Sequence, residues 1–173
     1  MTANSKEQKF TAVLEQYKDR LFRICRAYGK TTEEQEDLFQ EVVYNIWRSF
    51  DQFRQDSGIY TWLYRITLNV CMRKHYQFQR DQQRQVQLEG IQFIQPAVNS
   101  SEQSLETKEE SNTLYQCIHQ LKEADRSIIL LFLEDLPYKE IAKIMGITEN
   151  HVAVKIKRIK QHLYECFKTL GYV

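Results

Sequence analysis

Apolar residues recur at steps of three and four along most of this chain, and this spacing constrains the fold more than any other feature. In the first segment the repeated positions are Phe10, Val13, Leu14, Tyr17, Leu21, Ile24 and Tyr28. A helix turns once in about 3.6 residues, so such a repeat places an apolar stripe on one side of a helix. Only 5 glycines and 2 prolines occur in 173 residues, which disfavours a turn-rich β fold. The pattern predicts an all-α protein.

The same periodicity divides the chain into two helical parts that are separated by a polar stretch. Residues 82–104 lose the apolar repeat and are rich in Gln, with Gly90 and Pro96 among them, a composition typical of a linker. We therefore predict an N-terminal domain over residues 1–81, a flexible linker over residues 82–104 and a C-terminal domain over residues 105–173. The predicted helices are 6–28, 33–49, 59 to the low eighties, 105–121, 126–134, a short helix between Pro137 and Gly146, and 149–170.

The cysteines and the N-terminus bear on where the protein works. The four cysteines are Cys25, Cys71, Cys117 and Cys166. They lie far apart in the sequence and beside apolar residues, so we expect four buried, reduced thiols and no metal site. The first residues are polar and charged, and no apolar run reaches the roughly 18 residues that a membrane-spanning helix needs. We therefore expect a cytoplasmic protein without a signal peptide or a cofactor.

The C-terminal part has the features of a helix-turn-helix. Pro137 suits the first turn of a short helix, Gly146 suits its end, and Thr148 can cap the helix that follows. The last helix has an apolar stripe, formed by Val152, Ile156, Ile159 and Leu163. A basic row lies opposite it, formed by Lys155, Lys157, Arg158 and Lys160. Such a helix suits the major groove of DNA, although the same face would also suit a solvated helical hairpin.

Two further groups of residues lie in the N-terminal part. Asp37 and Glu41 are four residues apart, which places both carboxylates, with Gln40, on one face of the second predicted helix. No histidine or second carboxylate pair accompanies them, so a docking face or plain solvation is favoured over acid–base catalysis. The second group mixes aromatic and basic residues between Phe53 and Arg80, as single-stranded nucleic acid binding requires. About half of these aromatic residues are expected in the core instead.

Together these segments resemble the sigma factors of bacterial RNA polymerase, in particular the small extracytoplasmic-function branch. The family's clamp-docking helix resembles DLFQEVVYNIWRSFDQFR, and its promoter-melting and −10 segment resembles DSGIYTWLYRITLNVCMRKHY. The family's −35-reading helix-turn-helix resembles LPYKEIAKIMGITENHVAVKIKRIKQHL. The resemblance covers nearly the whole chain, with the three motifs in the family's order. It implies an N-terminal sigma region 2 domain and a C-terminal sigma region 4 domain.

The resemblance implies a role for each matching residue. The clamp of core RNA polymerase would be bound by Asp37, Gln40 and Glu41. A −10 base that has flipped out of the stack would be held by Asn69 with Phe53, Arg54 and Tyr60. The neighbouring DNA backbone would be held by Arg65, Arg73 and Lys74. The −35 duplex would be contacted by Lys155, Lys157 and Arg158.

The chain departs from the family's usual residues at the start of the last helix. Where the family often has polar residues, this sequence has His151, Ala153 and Val154. Ala153 and Val154 cannot hydrogen-bond to bases, although they can contact a thymine methyl group. We therefore expect Asn150 and His151 to carry more of the −35 readout.

The function implied by the resemblance is promoter-specific transcription initiation with core RNA polymerase and promoter DNA as partners, without catalysis or a small-molecule substrate. It also implies an anti-sigma factor, often membrane-anchored, which would hold the protein at the inner membrane. An alternative that the residues leave open is a helix-turn-helix regulator that works without polymerase, commonly as a dimer. A helical adaptor would leave the basic C-terminal helix unexplained. An enzyme is disfavoured because no nucleophile–base pair, metal cluster or glycine-rich phosphate loop is visible.

Overall fold

The protein is helical throughout the part described by the computed structural model, which comprises residues 3–53, 58–89 and 105–172. The helices are α1 (Ala3–Arg26), α2 (Thr32–Ser49), a short 3-10 helix (Phe50–Gln52), α3 (Ile59–Glu89), α4 (Leu105–Gln120), α5 (Glu123–Leu133), α6 (Tyr138–Met145) and α7 (Glu149–Thr169). Every predicted helix has a counterpart among these elements. The predicted all-α fold is confirmed.

The chain forms two compact units, Met1–Ser100 and Ser101–Val173. Within the first unit, α3 continues to Glu89 and so extends beyond its predicted end in the low eighties. The added turns contain Gln, Arg, Leu and Glu, which favour helix, and the first glycine after them is Gly90. Residues 90–104, the remainder of the predicted linker, lie outside the described residues, so its flexibility stays a prediction.

In the N-terminal unit, α1, α2 and α3 pack against one another around one apolar core. Its fully buried members include Leu21, Ile24, Val42, Ile46, Leu63 and Leu68. The turn between α1 and α2 is tight, because Gln35 Nε2 donates to the carbonyl oxygen of Gly29 over 3.1 Å. A Cβ atom at Gly29 would lie 2.8 Å from the backbone nitrogen of Gln35, so only glycine fits there. Thr31 caps α2 as predicted, since its hydroxyl accepts from the Glu34 N–H over 3.1 Å.

An aromatic cluster holds the end of α2 and the start of α3 in place. Phe10 of α1 lies 4.9 Å from Trp47 and 5.6 Å from Phe50, measured between ring centroids. Phe53 lies 5.2 Å from Trp62, which also approaches Phe50 at 6.3 Å. Such edge-to-face and tilted contacts are favourable for aromatic rings. The cluster therefore anchors the chain on both sides of residues 54–57, which lie outside the described part.

The C-terminal unit contains the predicted helix-turn-helix, formed by α6 and α7. Gly146 ends α6 in the left-handed conformation, at a φ of 68°, where a side chain would be unfavourable. Thr148 caps α7 as predicted, because its hydroxyl accepts from the His151 N–H over 3.2 Å. The predicted stripe of α7 is buried, namely Val152, Ile156, Ile159 and Leu163. Buried Arg126 of α5 donates to the His119 carbonyl oxygen over 2.7 Å, which joins α5 to the end of α4.

The expectation of four reduced cysteines is wrong for one pair. Cys117 of α4 and Cys166 of α7 form a disulfide, with their Cα atoms 5.9 Å apart and a sequence separation of 49 positions. Periodicity shows that each cysteine faces apolar neighbours, but it does not show that α4 and α7 lie side by side. Cys25 and Cys71 are free and buried, in agreement with the prediction.

Candidate docking and nucleic-acid interfaces

The predicted docking residues lie on one outward face of α2. Asp37 and Gln40 are exposed, and the Glu41 side chain keeps 34% of its surface exposed. The opposite face of α2 carries the buried residues Gln35, Leu38, Val42 and Ile46. The structure therefore brings the three predicted residues together on the solvent side of the helix.

Tyr44 extends this α2 face by one turn and was not singled out from the sequence. It follows Glu41 by three residues and Gln40 by four, so it shares their side of the helix. It is 57% exposed, so its ring is accessible on the solvent side of the helix. Its spacing from Asp37 could have identified it in the sequence. The two residues are seven positions apart, about two helical turns, which places them on the same face.

The outward side of α3 carries most of the residues predicted for the −10 segment. Its exposed residues follow one another at steps of three and four, and they are Arg65, Asn69, Arg73, Tyr76 and Arg80. Lys74 is also exposed. The buried side of the same helix holds Leu63, Tyr64, Leu68 and Cys71. One face of α3 thus presents cations, an amide and an aromatic ring to solvent along a continuous line.

The loop that precedes α3 is described only at its two ends. Phe53 is half-buried, and its ring packs on Trp62. It therefore has a packing role in the structure besides the base-holding role that is predicted for it. Tyr60 is half-buried and lies against Gly58, where a Cβ atom would approach the Tyr60 ring to 2.6 Å. Arg54 lies outside the described residues. The chain therefore brings Phe53 and Tyr60 to the start of α3, while the prediction for Arg54 stays a prediction.

The α2 and α3 surfaces meet at Glu41. Its carboxylate lies 3.4 Å from the Arg73 guanidinium and 3.9 Å from the Lys74 ammonium group. All three side chains are between a third and about half exposed, so solvent weakens these ion pairs. A groove of about 200 Å³ opens beside them, with Asp37, Leu38 and Lys74 among its lining residues. Residues predicted for different partners therefore touch one another in this unit.

In the C-terminal unit the predicted −35 residues divide into an outer and an inner set. Asn150, His151, Lys157 and Arg158 are exposed on α7. Lys155 is different, because its ammonium group donates to the Asp125 carboxylate of α5 over 2.6 Å and the pair is about two-thirds or more buried. Val154 lies between His151 and Lys157 and is 49% exposed, which places an apolar side chain on the outward face.

Within the described residues, no group of three or more His, Cys, Asp or Glu side chains is arranged to hold a metal ion. No helix among them has the length and apolar character needed to cross a membrane.

Both units match known protein families. Residues 13–85 match the family described as Sigma-70 region 2, and residues 111–163 match the family described as Sigma-70, region 4. The first match contains α2 and most of α3, and the second contains α5, α6 and the basic part of α7. The two matched ranges together span more than half of the chain.

Individual relatives of the chain are named as RNA polymerase sigma factors. SigW of Bacillus subtilis (strain 168), an ECF RNA polymerase sigma factor, is 26% identical over 171 residues, covering 95% of this chain and 91% of that protein. The ECF RNA polymerase sigma-E factor of Escherichia coli (strain K12) is 32% identical over 134 residues, covering 72% of this chain and 69% of that protein.

A solved structure shows the same fold. The sigma factor RpoE of Bartonella quintana, crystallised with the anti-sigma factor NepR, matches with a TM-score of 0.72 at 22% identity. The match covers 93% of this chain and 98% of that one. Since both units and their order agree with these families and relatives, the chain belongs to the sigma-70 family of RNA polymerase sigma factors, in its extracytoplasmic-function branch.

Proposed function

We propose that this sigma factor binds core RNA polymerase through the outward face of α2 and directs it to promoters through α3 and α7. The observation that carries the proposal is the presence of two different surfaces side by side on one small unit. One is acidic and the other is basic and aromatic, and they meet at Glu41. A free-standing DNA-binding regulator would have no use for the acidic surface.

The docking step rests on exposed carboxylate and amide groups. Asp37 and Gln40 face solvent on a helix whose other side is fixed in the core, so the surface is rigid before a partner arrives. Charged groups of this kind speed and orient association more than they add affinity. Tyr44, with its exposed ring beside them, supplies the apolar anchor that interfaces commonly need.

The −10 step uses the outward side of α3. Single-stranded DNA is bound by stacking on aromatic side chains and by cations at its phosphates. Tyr76 offers an exposed ring, and Arg65 and Arg73 lie at the spacing of successive helical turns around Asn69. Extruding a base from the duplex costs a few kcal/mol, which a hydrogen-bonding and stacking pocket must offset. We assign Asn69, Phe53 and Tyr60 to that pocket and Arg65, Arg73 and Lys74 to the backbone.

The −35 step uses the amino-terminal half of α7. Thr148 caps that end of the helix, and the side chains of Asn150 and His151 are exposed in its first turn. Lys157 and Arg158 lie about two turns further, where they would contact phosphates. Val154 lies between these two groups and suits a thymine methyl group.

We further propose that the protein is not an enzyme and works in the cytoplasm, where polymerase meets the chromosome. An anti-sigma factor is its proposed regulator, by analogy with the Bartonella quintana relative, which was crystallised with one.

Asp37→Lys tests the docking assignment. The variant reverses one charge at an exposed position, so we expect an unchanged helical circular dichroism spectrum and loss of co-purification with core RNA polymerase. Asp19→Lys makes the same charge change on the exposed side of α1 and serves as the matched control, which should bind normally. Normal binding by Asp37→Lys, or equal loss in both variants, would refute the assignment.

Run-off transcription on a library of genomic fragments tests the wider function. A sigma factor should produce new start sites with shared −35 and −10 sequences when it is added to core polymerase. The opposite outcome is a chain that binds duplex DNA, fails to bind polymerase and produces no new start sites. That outcome would replace this proposal with the polymerase-independent regulator.

A further inference from the structure

The four cysteines form two pairs. In each pair, one cysteine lies on the first helix of its unit and the other lies on the last helix. In the N-terminal unit, Cys25 of α1 and Cys71 of α3 lie with their sulfur atoms 3.9 Å apart as free thiols. In the C-terminal unit, Cys117 of α4 and Cys166 of α7 are joined as a disulfide. The two pairs therefore occupy comparable places in the fold but differ in oxidation state.

The two pairs also differ in access to solvent. Cys25 and Cys71 are both fully buried. The hydrogen bond to Cys25, together with burial, raises the pKa of the Cys71 thiol well above its ordinary value. Only a thiolate attacks a disulfide or an oxidant, so Cys71 is protected from exchange, and burial shields Cys25 from dissolved reagents. In the other pair Cys117 is buried, at 1% exposed, but Cys166 is half-buried near the end of α7.

A disulfide in a protein that works beside the chromosome requires an explanation, since thiol systems there keep cysteines reduced. Disulfides that form in such a compartment are usually transient and catalytic or redox-sensing. This step rests on the proposed function, because it is the proposed work with polymerase that places the chain in the cytoplasm.

We propose that Cys117–Cys166 is a reversible thiol–disulfide site, that Cys166 is the sulfur exchanged, and that its partner is a dithiol of the thioredoxin class. Reduction begins when a partner thiolate attacks Cys166 Sγ. A sulfur–sulfur bond forms between the partner and Cys166, and Cys117 Sγ leaves as a thiolate that takes up a proton. The partner's second thiolate then attacks the partner's first sulfur, which is bonded to Cys166 Sγ in the mixed disulfide. The partner's own disulfide forms, and Cys166 leaves as a thiolate that is also protonated. Two electrons pass from the partner dithiol to the cysteine pair, and the reverse steps re-form the disulfide.

The location of the disulfide gives this exchange a consequence for DNA binding. α7 carries the proposed −35 residues in its first half and Cys166 in its second half. α4 packs mainly against α7, and the disulfide adds a covalent link between these two helices. In the reduced state this covalent link between α4 and α7 is absent and only their non-covalent contacts remain. Oxidation therefore favours the arrangement in which α7 is supported along its length.

Trapping of single-cysteine variants tests which sulfur is exchanged. Cys117→Ser and Cys166→Ser are each incubated, as full-length folded chains, with oxidised glutathione as the probe, and adducts are located by peptide mass spectrometry. We expect Cys117→Ser to form an adduct at Cys166 at least about tenfold faster than Cys166→Ser forms one at Cys117, because Cys117 is buried. Equal rates, or faster reaction at Cys117, would overturn the assignment of Cys166.

Thiol counting tests reversibility in the native chain. The protein is equilibrated in dithiothreitol buffers of increasing oxidised fraction, quenched with acid, unfolded and labelled with a maleimide. We expect four labels in reducing buffer and two in oxidising buffer, in both directions of the titration, with Cys25 and Cys71 labelled throughout. Four labels in every buffer, or loss of the Cys25 and Cys71 labels instead, would overturn the proposal.

Transcription with purified core polymerase separates this proposal from the proposed function. The oxidised wild-type chain should give several-fold more transcript from the genomic library than the reduced chain, while Cys117→Ser/Cys166→Ser should give the same amount in both buffers. Transcription that ignores redox state in the wild type would overturn the regulatory proposal and leave the sigma function standing. A chain that exchanges thiols as described but never binds polymerase would instead overturn the proposed function.

Discussion

Glu41 lies between two surfaces with different proposed partners. Its carboxylate pairs with Arg73 and Lys74, although both cations are proposed to hold DNA. These ion pairs are partly exposed, and such pairs contribute about 0–1 kcal/mol each. Binding of polymerase to Glu41 would therefore release the two cations at little energetic cost.

Glu41→Gln tests this competition between polymerase and DNA. We expect the variant to bind a single-stranded oligonucleotide roughly two- to fivefold more tightly at low salt, because a charge that competes for Arg73 and Lys74 is gone. Fluorescence anisotropy measures the affinity. Glu33→Gln removes the same charge from an exposed position in the first turn of α2 and should change the affinity less. Equal changes in both variants would show that only net charge matters.

Asn69→Ala tests the base pocket. Asn69 is exposed in the middle of the outward side of α3, so its loss should not disturb the core. We expect normal formation of the closed promoter complex and at least about tenfold slower strand opening, since an extruded base loses a hydrogen-bonding partner. A fluorescent base placed in the −10 element reports the opening. If opening proceeds at the wild-type rate, Asn69 does not belong to the pocket.

At the scale of the helix, α7 combines three functions along its length. Its buried stripe packs the unit, its exposed first half is proposed to read DNA, and its last turns carry Cys166. The burial of every fourth or third residue leaves the remaining positions free to vary, which is why an exposed Val154 is tolerated. A single helix can therefore change promoter preference without losing its place in the fold.

The difference between Lys155 and Lys157 is testable on this helix. Lys157 is exposed, so Lys157→Ala should weaken duplex binding and lower the salt dependence by about one ion. Lys155 is paired with Asp125, so Lys155→Ala should lower the melting temperature of the C-terminal unit and change the salt dependence less. Anisotropy titrations between low and moderate salt measure both slopes. Equal slopes for the two variants would contradict this division.

At the scale of the whole molecule, the two units are expected to melt as separate transitions. The disulfide closes a loop of 49 residues in the C-terminal unit, which corresponds to about 4 kcal/mol in the chain-entropy description of cross-links. Reduction should therefore lower the transition of the C-terminal unit by roughly 10 °C or more and leave the other transition in place. Calorimetry with and without dithiothreitol measures this. A downward shift of the N-terminal transition alone would contradict the assignment of the disulfide to the C-terminal unit.

The sequence by itself determined the helical class, the caps at Thr31 and Thr148, the buried stripe of α7 and the family motifs. These features depend on residues within one or two turns of one another, and periodicity and capping report that range directly. Only the tertiary structure decided that Cys117 meets Cys166, and that Lys155 pairs with Asp125 while Glu41 pairs with Arg73. The three pairings join residues between 30 and 49 positions apart. Such contacts depend on which helices pack together, and a pattern of local spacing does not contain that information.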